Sequence, residues 1–254
     1  MKRLALNSKY STVENYRDLI SDSTEKLKID YYKYEQKIIE TCHVGKFLMF
    51  FENRYKIDKI FEEPDFIISD GTIKIGLEHQ ILIDKKSKER EGFFGNLIKQ
   101  AEKELRKDEN LPNFLANVYA HPFFNAKINE KHDLINEIVL LIKHYIKTDD
   151  LIENDIIERI SSMKHSKISL SPNMGAWCQK SIDGELIKNA VVKKEKRIDK
   201  YFENTNMSQW LLIVIGGLGE SSYSVENEFN LCIKTKFDKV FLLEDFSTNL
   251  YEIK

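Results

Sequence analysis

The stretch YKIDKIFEEPDFIISDGTIKIGLEHQILI, residues 55–83, decides the fold because it contains short β-type segments separated by turn residues. Its segments alternate or run apolar, and Pro64 and the pair Asp70-Gly71 interrupt them. We predict three strands, near residues 55–61, 65–69 and 73–82. The Asp-Gly pair tolerates positive φ at a tight turn, so the second and third strands are expected to form a β-hairpin.

The segments outside this stretch have the periodicity of helices alternating with strands. On the N-terminal side, STVENYRDLI and LKIDYYKYEQKIIETC predict a helical layer over the first forty-odd residues. Helices are then predicted in residues 91–107, 132–147 and 184–202. Strands are predicted in FLANVYA, QWLLIVIGG, KVFLLE and NLYEIK, and a short helix is expected between the second and third of these.

The run WLLIVI (210–215) indicates the layer structure, because an unbroken apolar strand is typical of a strand covered on both faces. Helices are therefore expected on both sides of a mixed β-sheet, and the fold class is α/β. At 254 residues the chain is interpreted as one domain, with an insertion. Its expected parts are an N-terminal helical layer (1–50), a β-hairpin region (55–84), an insertion (85–180), and a core helix with C-terminal strands (183–254).

Composition limits the function classes. No stretch approaches the roughly 20 apolar residues that span a bilayer, and the N-terminus lacks a signal-peptide core, so we expect a soluble cytoplasmic protein. Cys42, Cys178 and Cys232 lie far apart without a C-x-x-C pair, which argues against a disulfide framework or structural zinc. The histidines also lack tight ligand spacing, and IGGLGESS lacks the Gly-Lys-Ser/Thr ending of a phosphate loop.

The net charge of −2 counts against duplex binding, because duplex binders usually carry a positive surplus for phosphate contacts. The charge is uneven, however. Lysine and arginine concentrate in residues 81–91 and 191–200, whereas residues 147–158 are acidic. A local basic face and the solvated sides of ordinary helices are both consistent with these runs.

Two acids of the hairpin are the candidate functional residues. Asp65 begins one predicted strand and Glu78 lies near the end of its partner, so the hairpin is expected to bring them together. Glu78 and Gln80 are two apart and share a strand face, whereas His79 points away. Two carboxylates supply the oxygen ligands that Mg²⁺ prefers, and the cation activates water and stabilises phosphate charge. The pattern therefore predicts a magnesium site.

The order Pro64-Asp65, a β-turn and Glu78-x-Gln80 resembles the motif of the PD-(D/E)xK nuclease superfamily, whose core is restriction-endonuclease-like. Gln80 stands where the family usually has lysine, although some restriction enzymes of this fold have glutamine there. The resemblance implies that a displaced lysine supplies the charge, with Lys194 or Lys99 as candidates and Lys74 ranked lower. It also implies a glutamate from the preceding helix as a further ligand or a ligand's partner, either Glu35 or Glu40, with Glu40 favoured.

A second resemblance concerns IKNAVVKKEKRIDKY followed by WLLIVI, which is similar to the helix and strand after the active-site hairpin in divergent nucleases of this type. It implies that residues 85–180 are largely inserted and that Lys194 and Arg197 contact phosphate. The family implies Mg²⁺, with Mn²⁺ as substitute, and DNA as the partner. Restriction, repair or phage defence is the expected setting, with a homodimer or a partner subunit.

From these residues we expect a metal-dependent endonuclease that hydrolyses DNA phosphodiester bonds. Asp65 and Glu78 are the expected metal ligands together with Glu40, Gln80 is the degenerate third position, and Lys194 donates charge. The alternative is a catalytically inactive module that keeps the fold as a nucleic-acid or protein binding surface. A further alternative is that the two acids are an accident in an α/β protein of another class.

Overall fold

The computed structural model describes residues 1–28, 30–122, 124, 128–175, 179–217, 219–226 and 231–254. The helices are α1 (Val13–Lys28), α2 (Tyr31–Met49), α3 (Lys85–Leu105), α4 (Lys131–Thr148), α5 (Gly184–Glu195) and α6 (Ile198–Thr205). The strands are β1 (Lys2–Leu4), β2 (Lys56–Ile60), β3 (Phe66–Ser69), β4 (Lys74–Ile81), β5 (Phe114–Ala120), β6 (Ile157–Lys164), β7 (Ser169–Asn173), β8 (Lys180–Ser181), β9 (Ser208–Ile215), β10 (Tyr223–Ser224), β11 (Lys239–Glu244) and β12 (Asn249–Glu252).

The chain folds into two compact units. The first unit contains Met1–Ile83, Lys180–Leu218 and Ser222–Lys254, and the second contains Asp84–Gln179 with Gly219–Ser221. The candidate acids Asp65 and Glu78 both belong to the first unit.

A seven-stranded mixed sheet forms the first unit, with the order β1-β12-β11-β9-β4-β3-β2. The central strand β9 runs parallel to both of its neighbours, β4 and β11. The remaining pairs are antiparallel, including the hairpin of β3 and β4. The chain is therefore an α/β protein with a mixed central sheet, as its sequence predicts.

Helices cover both faces of this sheet. Trp210, Leu212 and Val214 of β9 pack with α1 and α2, whereas the alternate residues Leu211 and Ile213 pack with α5 and α6. A strand sends successive side chains to opposite faces, so a strand buried on both faces needs apolar residues throughout. The continuous apolar run is thereby explained, and its predicted coverage on both faces is confirmed.

The second unit has its own three-stranded sheet, in the order β6-β5-β7. Buried residues of β5 alternate with partly exposed ones, and the buried set packs on the apolar sides of α3 and α4. Asp84 precedes helix α3 and caps it, because its side chain accepts a hydrogen bond from the Ser87 amide at 2.8 Å.

The structure confirms the predicted hairpin strands and corrects three other predictions. The segment 184–202, expected to be one helix, is two, because residues 192–197 include no buried side chain that would hold a continuous helix to the sheet. A strand, β1, precedes the N-terminal helices and pairs with β12. Over the described residues between β9 and β11 there is no helix, and Thr235 and Lys236 instead donate to Glu195 Oε1.

Two further observations concern the expected class of protein. None of the described helices combines the length and the apolar character that crossing a membrane requires. Cys42 and Cys232 are free thiols, and Cys178 lies outside the described residues.

Candidate functional site

The register of the β3–β4 hairpin brings Asp65 and Glu78 together. Phe66 is paired with Leu77, so the next position of the antiparallel ladder sets Asp65 beside Glu78. The Asp65 amide donates a hydrogen bond to Glu78 Oε2 at 3.3 Å, and Asp65 Oδ2 accepts one from the His79 amide at 2.9 Å. The expected convergence of the two acids is present in the structure.

Lys194 approaches Glu78 from α5. Its Nζ lies 2.5 Å from Glu78 Oε1, and only 4% of the Glu78 side chain is exposed. Helix α5 is positioned by Asp183, whose side chain accepts a hydrogen bond from the Leu186 amide, and by apolar residues packed on the sheet. Lys194, Lys99 and Lys74 were the candidate charge donors, and Lys194 contacts a hairpin acid directly.

A second lysine, Lys37 of α2, joins Asp65 to Glu40. Its Nζ lies 3.1 Å from Asp65 Oδ1 and 2.8 Å from Glu40 Oε2. Glu40 is buried and also accepts a hydrogen bond from Gln36 at 3.0 Å, whereas Glu35 is exposed. The sequence left open whether Glu35 or Glu40 joins the two acids, and in the structure it is Glu40, with Lys37 between it and Asp65. Asp65, Glu78 and Glu40, with the ammonium groups of Lys37 and Lys194, form what we call the acid cluster.

The charges of the cluster interact strongly. Burial raises the pKa of Glu78, the nearby charge of Asp65 raises it further, and Lys194 acts against both. Burial alone would lower the pKa of Lys37, but the carboxylates of Glu40 and Asp65 outweigh it and raise the pKa. Three carboxylates against two ammonium groups leave the cluster with excess negative charge when all five are ionised, which suits the binding of a cation.

Tyr201 of α6 is buried beside Glu78. Burial and the charge of Glu78 raise the pKa of its hydroxyl, so the phenol stays protonated. The hydroxyl has no hydrogen-bond partner of good geometry among the described residues, although it interacts with the Glu78 carboxylate closely enough for each to shift the pKa of the other. It is a buried proton donor beside Glu78.

Gln80 follows Glu78 on the same face of β4. Its Oε1 is buried and has no hydrogen-bond partner among the described residues. A buried amide oxygen without a donor is costly, so a cation or a water would stabilise it. The side chain at the degenerate motif position therefore offers a free oxygen ligand.

His79 points to the opposite face of β4, as predicted, and contacts His43 of α2. The two rings stack with centroids 5.2 Å apart, and His43 Nδ1 lies 3.1 Å from His79 Nε2. Burial is the largest cause that holds the pKa of His79 well below its usual value, and positive charge at Lys194, at Lys37 and on a protonated His43 would lower it further. Burial also lowers the pKa of His43. Both rings are therefore neutral, and the pair packs α2 against the hairpin.

The other lysines considered from sequence lie away from Glu78 or in the second unit. Lys74 forms an ion pair with Asp58, Nζ to Oδ2 2.7 Å, near the turn of the hairpin. Lys99 belongs to α3 of the second unit. Arg197, proposed as a phosphate contact, forms an ion pair with Glu63.

Lys37, Tyr201 and His43 belong to the site although the sequence did not indicate them. Lys37 and Glu40 are three residues apart on a helix, and this spacing signals an ion pair. Tyr201 and His43 carry no comparable signal, because their partners, Glu78 and His79, are distant in the chain.

The donor set fits Mg²⁺ better than a softer metal. Mg²⁺ is commonly held by one or two carboxylates, with water and phosphate completing the coordination. Asp65 and Glu78 would supply the carboxylates, and Gln80 Oε1 is an unused oxygen on the same strand face as Glu78. Within the described ranges, no group of three or more His, Cys, Asp or Glu side chains is arranged to hold a metal by itself.

Comparisons of the chain with protein-family models, with curated proteins and with solved structures found no match. A function is therefore inferred from the geometry of the acid cluster and from the motif resemblance.

Proposed function

We propose that this protein is a metal-dependent nuclease that hydrolyses phosphodiester bonds in DNA. The observation that carries the proposal is the contact of Asp65 with Glu78 at the end of the β3–β4 hairpin, with Lys194 bonded to Glu78. The order Pro64-Asp65, hairpin, Glu78-x-Gln80 agrees with the PD-(D/E)xK motif, and Lys194 supplies the positive charge that Gln80 lacks.

Asp65 and Glu78 would hold Mg²⁺ or Mn²⁺, with Gln80 Oε1 as a third protein oxygen. Bound there, the cation would lower the pKa of a water molecule and stabilise charge on a phosphoryl oxygen. Glu40 touches Lys37 in this structure, so its expected role is that of a ligand's partner, holding Lys37 against Asp65.

The other residues of the cluster support hydrolysis through charge and proton position. The Lys194 ammonium group lies at Glu78, where it would stabilise the negative charge that a bound phosphate gains in the transition state. The protonated Tyr201 hydroxyl can donate a hydrogen bond beside Glu78. The peptide hydrogen bonds that join Asp65 to residues 78 and 79 fix the two acids in advance, and this pre-organisation lowers the cost of reaching the transition state.

One observation favours a catalytically inactive binding module as a second candidate. Lys37 and Lys194 already neutralise part of the acidic charge, so the fold does not require a cation for charge balance. An inactive relative would keep such ion pairs for stability. The enzyme remains preferred because Glu78 is held by a lysine, which a substrate can engage, and because Gln80 Oε1 is left without a donor.

Cleavage assays test the proposal. Supercoiled, linear and single-stranded DNA are incubated with Mg²⁺ or Mn²⁺, using the wild type, Asp65→Asn and Glu78→Gln, with Glu35→Gln as the matched control on an exposed helix position. Both site variants are expected to lose activity by about 10²-fold or more, because each removes a ligand charge. The control should cut like the wild type.

Folding of each variant is verified by circular dichroism. Metal-dependent cutting that survives in both site variants would place the activity elsewhere. If the wild type cuts none of the substrates with either metal, the inactive module becomes the better account. The proposed biological setting is restriction, repair or defence, and a homodimer would present two sites to the two strands of a duplex.

A further inference from the structure

Three cations follow one another at the junction of α5 and α6, three residues apart: Lys194, Arg197 and Lys200. The first is bonded to Glu78 in the acid cluster. The other two both contact Glu63, with Arg197 Nη2 on its Oε1 and Lys200 Nζ on its Oε2. The row of cations therefore runs from the acid cluster to the residue that precedes the Pro64-Asp65 pair.

The positive charge around Glu63 exceeds the negative charge of its carboxylate. One carboxylate is held by two cations, so one positive charge of the group remains without a counterpart in it. The side chains of Arg197 and Lys200 are 58% and 57% exposed, whereas that of Glu63 is 15% exposed. Lys200, followed by Arg197, lowers the pKa of Glu63, which therefore stays ionised.

Ion pairs with such exposed cations contribute little to stability, because water and salt screen them. Another anion can therefore exchange with the carboxylate at small cost. The backbone at Glu63 is held separately, since Asn204 Nδ2 donates to its carbonyl oxygen at 2.9 Å. Release of the side chain would leave the Asp65 segment in place.

We propose that Arg197 and Lys200 bind a phosphodiester of the nucleic-acid backbone next to the one at the acid cluster, and that Glu63 occupies this site in the free protein. The inference rests on the proposed function and adds to it the path that the nucleic-acid strand takes from the acid cluster. Glu63 and Asp65 are two residues apart, at most about 7 Å of extended chain. One or two nucleotides, at a rise of about 3.4 Å each, span that distance. The guanidinium group suits this role because its fork of N–H donors matches phosphate oxygens.

The test measures binding without cleavage. Labelled duplex oligonucleotide is titrated with protein in EDTA over a series of salt concentrations, and affinity is read from fluorescence anisotropy. The variants are Arg197→Gln, Lys200→Gln and Glu63→Gln. Lys188→Gln and Glu62→Gln are matched controls, since both residues are exposed, Lys188 on the neighbouring helix α5 and Glu62 next to Glu63 in the chain.

Loss of one phosphate contact is expected to reduce the slope of log affinity against log salt by about 0.9 in Arg197→Gln and in Lys200→Gln. The Lys188→Gln slope should equal that of the wild type. Glu63→Gln should bind more tightly than the wild type, and by a larger factor than Glu62→Gln, because it removes a competitor and not only a nearby charge. Inorganic phosphate, at ionic strength matched with chloride, should not displace the oligonucleotide beyond the chloride control.

Unchanged slopes in both cation variants, equal gains in the two glutamate variants, or no binding by the wild type would overturn the inference. So would specific displacement by inorganic phosphate, which would indicate a site for a small anion. Cleavage measured in parallel separates the two proposals. Cutting with unchanged slopes rejects the phosphate site alone, whereas the expected slopes without cutting reject the nuclease alone.

Discussion

The backbone amide of Asp65 donates to the Glu78 carboxylate across 3.3 Å, so the two acids are joined through a main-chain group. A second hydrogen bond runs in the opposite direction, from the His79 amide of β4 to Asp65 Oδ2. Because the hairpin register sets both bonds, the acids are held close despite their mutual repulsion. Substitutions at single side chains should therefore alter the charge of the site without separating the strands.

Glu78→Gln is expected to stabilise the protein at neutral pH. Burial, and then Asp65, raise the pKa of Glu78 in the folded protein above its value in the unfolded chain, so ionisation costs folding free energy. That cost is absent below the unfolded pKa and appears as the pH rises through the folded pKa. The variant should have the higher melting temperature at about pH 7 and a smaller advantage at about pH 4.

Glu35→Gln provides the comparison for this measurement, because Glu35 is exposed on α2. Its melting temperature should follow that of the wild type across the pH range. A Glu78→Gln protein that is less stable than the wild type at neutral pH would mean that the bond to Lys194 outweighs the burial of the charge.

Lys194 and Glu78 should be energetically coupled. Removing the ammonium group alone leaves a carboxylate that is 4% exposed without its lysine, and removing the carboxylate alone leaves a lysine that is 22% exposed and can be hydrated. Lys194→Gln should therefore lower the free energy of unfolding more in the wild-type background than in the Glu78→Gln background. A double-mutant cycle by denaturant unfolding should give a coupling of about 0.5–3 kcal/mol. Additive effects of the two substitutions would contradict the pairing.

Lys37→Gln should make the site depend more on a cation. Lys37 lies between Asp65 and Glu40 and holds their charges together, so its loss leaves the carboxylates facing each other. We expect lower stability in EDTA and a larger rise of melting temperature on adding Mg²⁺ than in the wild type, since the ligand binds the folded state alone. Lys33→Gln, at an exposed position of the same helix, should show the wild-type response. An Mg²⁺ response no larger than that of the wild type would show that Lys37 does not compete with the metal.

Local sequence signals predicted the hairpin and the central strand well. The turn at Asp70-Gly71 and the alternation around it predicted β3 and β4, and the apolar run of β9 predicted coverage on both faces. These features depend on residues close together in the chain, where periodicity and turn chemistry are strong.

Contacts between residues that are distant in the chain could not be predicted from periodicity and turn residues. Strand β1 exists because β12, more than two hundred residues later, provides its pairing partner. The contact of Lys194 with Glu78 was one option among several lysines, and the resemblance, not the spacing, suggested it. Tyr201 follows the break between α5 and α6, and periodicity did not show that break.

Gly76→Ala should destabilise the first unit by about 1–3 kcal/mol through overpacking. A Cβ at Gly76 would lie 2.3 Å from Gln209 Oε1, and Gln209 is fully buried. The Gln209 side chain cannot move easily, because its Nε2 donates to Thr205 Oγ1 at 2.8 Å and to the Met207 carbonyl at 3.0 Å. Gly92→Ala is the control, since Gly92 is inside α3 and, outside the surrounding helix backbone, no described atom lies within 4 Å of its new Cβ.

Denaturant unfolding compares the two glycine variants. The control should be as stable as the wild type or more stable by about 0.5–1 kcal/mol, because alanine has the higher helix propensity. If Gly76→Ala unfolds at the wild-type denaturant concentration, then Gln209 has another position available and does not fill the space over Gly76. In that case β4 is less tightly fixed against β9 than its burial indicates, and the position of Glu78, two residues further along the strand, would be set by the hairpin bonds to Asp65 alone.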